Sequence, residues 1–211
     1  SFNVFEACVK NNIKKIVFSS SASVYGDAET PRIKESHPFN NKNFYGATKI
    51  ACEAMLQSYY YRYNLNFIGL RYMNVYGPRQ DYKGAYIAVI MKMIDFLDSG
   101  KSPIINGNGL ESYDFIYVED CARANIAAMK SNSSNNFLNV ATGKKTSLKK
   151  LANTILKLKK SNLPLIFKKN INKTIVKNRI GDINNAYKVI SFKYKFNLEE
   201  GLAKTIKWKK K

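Results

Sequence analysis

Tyr45 and Lys49 stand four residues apart, a spacing that on a helix puts both side chains on one face, one turn from each other. An ammonium beside a phenol favours the phenolate, which is what a tyrosine needs to act as a general base on a hydroxyl. By itself the pattern is close to noise: with 29 lysines and 14 tyrosines in 211 residues, about two such pairs are expected by chance. The weight comes from Ser19 to Gly26, SSSASVYG, whose Ser21 lies 24 residues ahead of the tyrosine. In open α/β sheets the residues just past a strand's carboxyl end line the ligand crevice, so hydroxyls there can bond the same oxygen that Tyr45 deprotonates. Turn chemistry alone also accounts for a serine run at a strand end. The agreement of the two signals is what points to a site.

The elements that must hold these residues can be read from the pattern of apolar side chains. Ser1 to Asn12 is an amphipathic helix, and Ile13 to Ser19 (IKKIVFS) is a short β-branched run of the kind buried in parallel sheets. Phe44 to Tyr63 reads as a long helix with Asn43 as its cap, and Asn66 to Tyr72 as a strand. This order of helix, strand, loop, long helix and strand predicts an α/β fold, a partial Rossmann-type, doubly wound parallel sheet. Beyond Gly77 the expectation is a smaller mixed α/β substrate-binding region. It has helices over Ala85–Leu97, Cys121–Met129, Ser147–Lys160, Asp182–Ile190 and Leu198–Trp208, and strands near Pro103–Asn106, Asp114–Val118 and Phe137–Val140. The expected division is therefore 1–76 for the sheet domain and 77–211 for the substrate region, with a strand and helix at about 113–131 returning to the sheet.

Composition narrows the class. At 45% hydrophobic and 13% aromatic residues the chain is apolar enough to bury a core. The net charge of +20 comes from basic residues scattered through every segment; a nucleic-acid surface would ask for clusters with interleaved aromatics, and only Lys207–Lys211 with Trp208, and the stretch Lys144–Lys160, approach that. No nucleic-acid partner is expected. Three cysteines without CxxC spacing fit a reducing cytosol, one histidine argues against a metal site, and no apolar run approaches the ~20 residues of a membrane span.

These residues resemble the extended short-chain dehydrogenase/reductases, and within them the UDP-glucose 4-epimerase-like members of the NAD-dependent epimerase/dehydratase family. The landmarks are SSSASVYG, YGATK at Tyr45–Lys49, LRYMNVYGPRQ at Leu70–Gln80, YDFIYVEDCARA at Tyr113–Ala124, RIGD at Arg179–Asp182 and LEEGLAKTIKW at Leu198–Trp208. The resemblance implies an NAD-dependent, cytoplasmic enzyme, acting on a nucleotide-sugar substrate as a homodimer. Tyr45 would take the proton of the C4 hydroxyl while hydride passes to NAD, giving a 4-keto sugar that is reduced again on its other face. Lys49 would also bind the nicotinamide ribose, Ser21 would align the substrate oxygen, and Ser23 would touch the sugar. Met73 would lie near the nicotinamide, Asn74 and Arg179 would hold the diphosphate, Asp182 would contact the ribose, and Asn106 would lie near the base.

Related dehydratases carry a Thr-Asp-Glu run where this chain has Ser21, Ala22 and Ser23. Loss of water needs a proton donor at the leaving hydroxyl, so epimerisation is favoured over the alternatives of 4,6-dehydration and reduction. The family's GxxGxxG turn should lie roughly a hundred residues ahead of the serines, and only 18 residues precede Ser19. The expectation is a fragment of a longer enzyme, binding NAD poorly alone, with one edge of the Ile13–Ser19 strand exposed. Tyr113 stands where many relatives have a phosphate-binding arginine. A non-catalytic nucleic-acid-binding protein on the same scaffold is the competing class.

Overall fold

The structure is a computed structural model that describes residues 1–81, 88–169 and 178–209. The opening helix α1 (Phe2–Lys10) stops because Asn12 takes a left-handed φ of 53° and the Ile13 amide turns back to donate to the Cys8 carbonyl. The following strand therefore begins at Lys15, two residues later than the β-branched pattern suggests, and it runs on through Ser21 as β1 (Lys15–Ser21). Ser19, Ser20 and Ser21 are paired residues of the sheet, opposite Leu70, Arg71 and Tyr72. A serine backbone pairs as well as any other, so the polar side chains hid two residues of strand.

After a 3-10 turn at Ala22–Tyr25 and a loop, α2 (Phe44–Tyr63) has the expected bounds. Asn43 caps it, its side chain accepting the Gly46 amide at 2.7 Å, and Asn64 ends it in a left-handed conformation. Strand β2 (Asn66–Tyr72) follows, and β3 (Asn74–Tyr76) continues its line past Met73. Next come α3 (Val89–Asp98), β4 (Ile104–Asn106), β5 (Ser112–Tyr113), β6 (Phe115–Tyr117) and α4 (Val118–Lys130). Then follow β7 (Asn136–Val140), β8 (Thr146–Ser147), α5 (Leu148–Lys159) and β9 (Ile166–Lys168). The last elements are β10 (Asn178–Arg179), α6 (Asn184–Ile190) and α7 (Leu198–Lys209). Residues 85–87 of the expected Ala85–Leu97 helix, and Lys210 and Lys211 of the basic tail, lie outside the described residues.

Strands β1, β2 and β7 form a parallel sheet in that order. Along β2, side chains alternate between its two faces, as a strand's period of two requires. Phe67 joins Phe5, Phe18, Leu56 and Tyr59 beneath α1 and α2, whereas Ile68 and Leu70 join Cys121, Ala124, Ala128, Leu138 and Ile190 beneath α4 and α6. Helices thus cover both faces, the doubly wound arrangement that parallel sheets need. Among the described residues β1 pairs with β2 alone, so its other edge is unpaired. From the segment 113–131, α4 lies on β1 and β2 while β6 pairs with β3. A second core gathers Ile90, Met91 and Ile94 of α3, Leu151 and Ile155 of α5 and Leu202 of α7 around Tyr76 and Tyr117. No described helix is long and apolar enough to cross a membrane.

Candidate active site

Three elements meet at the carboxyl end of β1. Ser21, its last residue, accepts two hydrogen bonds at Oγ, from the Ser23 amide (3.1 Å) and the Ser23 hydroxyl (2.9 Å). These close the 3-10 turn and leave the one Ser21 hydroxyl proton to donate elsewhere. The turn is buried throughout, from Ala22 to Tyr25. Its backbone is met by the first turn of α2 at Gly46, where a Cβ would stand 2.6 Å from the Ser23 carbonyl oxygen and 2.2 Å from Asn41 Oδ1. Glycine at 46 is what lets the helix come this close.

That approach carries Tyr45 and Lys49 to the serines. Lys49 Nζ donates to the Ser19 carbonyl at 2.8 Å and lies 5.2 Å from the Phe18 ring centroid and 5.6 Å from that of Tyr45. One of its three N–H groups is thus fixed and the cation is held beside the phenol ring. Tyr45 itself is 57% exposed, so this face of α2 opens outward.

Met73 is buried, packed with Tyr25, Ile33 and Ala141. Asn74 donates from its side chain (3.1 Å) and its backbone (3.0 Å) to the Asp114 carbonyl. The Asp114 carboxylate is wholly buried and accepts from the Thr142 amide (2.9 Å), the Thr142 hydroxyl (2.6 Å) and the Gly143 amide (2.7 Å). Burial pushes its pKa up, and those three donors oppose the rise.

Arg179 on β10 sits opposite Tyr113 of β5 and donates from Nη2 to the Gly26 carbonyl at 3.4 Å, while its buried Nε has no hydrogen-bond partner among the described residues. Burial draws its pKa down, and the nearby Tyr113 and Asp27 work against that. Asp182 is buried with its carboxylate turned to the start of α6, accepting the Asn184 amide at 2.8 Å and the Asn184 side chain at 3.3 Å. Helix α6 consequently begins at Asn184, later than the expected Asp182. The structure bonds Ser23 to Ser21 and sets Lys49 between the Ser19 carbonyl and the Tyr45 ring; Arg179 reaches the Gly26 carbonyl at the end of the serine turn, Asn74 and Arg179 meet at the Asp114 backbone, and Asp182 bonds the Ile33 carbonyl. Asn106 lies apart, exposed on the two-stranded β4–β9 sheet.

The sequence reading missed a buried polar web below the site. Arg71 donates from Nε to Glu53 Oε1 (2.9 Å), from Nη2 to Glu53 Oε2 (2.6 Å), and from Nη1 to Tyr25 Oη and the Glu35 carbonyl (both 2.9 Å). Tyr25 Oη donates to Asn139 Oδ1 at 2.7 Å, and Ser20 Oγ donates to Glu53 Oε1. Burial works to lower the Arg71 pKa, but its hydrogen bond to Glu53 and the charges of Tyr25 and Glu53 outweigh it, so the guanidinium is held above its ordinary value. A signal was available: Arg71 is the one charge in β2, and Glu53 the one acid in α2.

The sequence profile described as the NAD dependent epimerase/dehydratase family matches residues 1–141. A putative UDP-glucose 4-epimerase of Methanocaldococcus jannaschii is 41% identical over 156 residues, covering 74% of this chain and 50% of that protein. The solved UDP-N-acetylglucosamine 4-epimerase of Methanobrevibacter ruminantium superposes with a TM-score of 0.93 at 40% identity, over 98% of this chain and 66% of that one. The UDP-glucose 4-epimerase of Thermotoga maritima gives 0.92 at 30% identity, again over 98% and 66%. The chain thus spans between 50% and 66% of the length of these relatives. With two thirds of its residues under the profile and the doubly wound sheet in place, the chain belongs to the NAD-dependent epimerase/dehydratase family.

Proposed function

We propose that this chain carries the proton-transfer and substrate-binding part of an NAD-dependent 4-epimerase of nucleotide-activated sugars. The observation that carries the reading is the junction at the end of β1. Ser21 keeps its hydroxyl proton free to donate, and Lys49 is tethered to the Ser19 carbonyl beside the Tyr45 ring. In this reading Ser21 donates to the C4 oxygen and Ser23 supports Ser21 and reaches the sugar. Tyr45 takes the C4 hydroxyl proton as the carbonyl forms, and returns it when the carbonyl is reduced from the opposite face.

NAD, when bound, supplies the hydride acceptor and donor for these two half-reactions. The residues present fit its nicotinamide end: Lys49 has two further N–H groups for ribose hydroxyls, and they lie on the open side of α2. Met73 is proposed to lie near the nicotinamide. Asn74 and Arg179 are proposed for the diphosphate, since a buried guanidinium with an unpartnered N–H calls for an acceptor. Asp182 is proposed for the nucleotide ribose and Asn106 for the base. Dehydration is disfavoured because the turn after Ser21 holds Ala22 and Ser23 and no carboxyl group.

A homodimer through α2 is part of the proposal, supported by Phe44, Tyr61 and Tyr63, which that helix leaves exposed. So is a cytoplasmic setting, supported by three free cysteines. The test is to measure NAD binding by the chain calorimetrically and then, at NAD concentrations that saturate it, to follow C4 inversion of a panel of UDP-sugars by proton NMR. Wild type is expected to interconvert at least one pair, and Tyr45→Phe to lose about 10²–10⁴-fold. Equal turnover by the two proteins would overturn the mechanism.

A further inference from the structure

The ion pair between Glu53 and Arg71 lies on the sheet face under α2, two turns along the helix from Tyr45 and one from Lys49. Both side chains are essentially buried, at 2% and 3% exposure, and they meet in a two-pronged geometry. A buried pair of this kind is a poor source of net stability compared with apolar side chains of the same size, and its best-attested use is to fix one arrangement among several. Its contacts here are distributed in a telling way. Glu53 accepts from Ser20, the neighbour of Ser21 on β1. Arg71 reaches Tyr25 at the end of the 3-10 turn that holds Ser23, and the Glu35 carbonyl in the loop beyond. Tyr25 continues to Asn139 on β7, which donates to the carbonyls of Ile33 and Asp182.

β1, the 3-10 turn, α2 and β7 are therefore joined through this one pair and Tyr25. The rings of Tyr25, Phe39 and Phe137, each 5.0–5.2 Å from Arg71 Cζ, exclude water from it. An apolar contact tolerates a slide of α2 along the sheet; a planar fork on a carboxylate does not. Burial of the fork removes the alternative of bonding to water.

We propose that Glu53 and Arg71 are positioning residues that set the axial position of α2, and with it the placement of Tyr45 and Lys49 against Ser21. This rests on the epimerase reading for its catalytic consequence, but the positioning itself is independent of substrate.

Three variants test it. Glu53→Gln with Arg71→Met removes both charges together, so that neither is left buried alone, and Ser20→Ala removes one hydroxyl from the web without touching the pair. Hydrogen exchange of the free chain should accelerate at least tenfold in residues 45–52 of the double variant, with β2 and β7 amides within twofold of wild type. In the wild-type background of an active preparation, kcat should fall at least thirtyfold in the double variant and about threefold in Ser20→Ala, with KM within twofold in both. Replacing Arg71 by Lys, which keeps the charge and loses the fork, should fail to restore kcat. Exchange that rises evenly over the whole chain would show a merely structural pair and overturn the proposal, as would unchanged α2 exchange. A wild type that binds NAD to saturation and turns over no UDP-sugar would sink the epimerase reading, and the exchange comparison would still decide this one.

Discussion

Gly46 stands against the Ser23 carbonyl so closely that a single added methyl group would fall 2.6 Å from its oxygen. An alanine is intrinsically better than glycine within a helix by about 1 kcal/mol, so on helix propensity alone Gly46→Ala should stabilise the protein. The steric term opposes it, and overpacking against a fixed backbone typically costs about 1–3 kcal/mol. We expect a net loss of stability in urea titration, together with a fall in kcat as the first turn of α2 is pushed from the serine turn. A higher urea midpoint would mean that the helix and turn separate freely.

The cap on α2 has a smaller and separable effect. Asn43 Oδ1 accepts the Gly46 amide, and no acidic residue in the first turn shares the task of countering the helix dipole. Asn43→Ala should cost about 1 kcal/mol, and Asn43→Asp should retain full stability. The measurement is the shift in denaturant midpoint of the two variants side by side.

Glu35 gives the fold a pH dependence of definite sign. Burial pushes its carboxyl above the ordinary range; the Asn139 amide, donating at 2.8 Å, opposes this, the Asp182 charge adds to it, and Arg71 pulls it back. With the folded pKa raised, the native state keeps a proton that the unfolded chain has already released. The stabilisation is therefore complete on the acid side and is lost as pH rises through the folded value. Glu35→Gln should flatten the stability–pH curve above about pH 4, and an identical slope in the two proteins would rule this carboxyl out as its source.

Arg179 should separate binding from turnover. Among the described residues it makes one long side-chain hydrogen bond and its Nε has no partner, so its burial gives the free protein little and Arg179→Met should change folding stability by no more than about 1 kcal/mol. If a diphosphate completes its partners, KM for the nucleotide sugar should rise by roughly tenfold or more while kcat stays within a few-fold. A kcat effect with unchanged KM would move Arg179 out of the binding role.

What could be read in the sequence, and what could not, divides by range. The bounds of α2, its Asn43 cap and β2 follow from apolar spacing and turn chemistry within twenty residues, and α2 is the element that carries Tyr45 and Lys49. The Glu53–Arg71 pair, the Tyr25–Asn139 bond and the pairing of β6 with β3 join residues between 18 and 114 positions apart, and no local rule reports such contacts. Asp182 shows a third case. The sequence offers it both as the first residue of a helix and as a ribose contact, and its carboxylate is already bonded to the start of α6. A short polar side chain is equally at home in either role, so residue type alone does not choose.

The parallel pairing of β7 with β2 sets the timing of folding. Residues 73–135 intervene between the two strands, so on the ribosome the β1–β2 pair must wait for these 63 residues before the α4 cover and its third strand have emerged. Through that interval the Leu70 face lacks its α4 cover, while Phe67 lies under α1 and α2. A nascent chain of this protein should accordingly be at its most vulnerable to proteases and aggregation just before Val140 leaves the exit tunnel, and markedly safer soon afterwards.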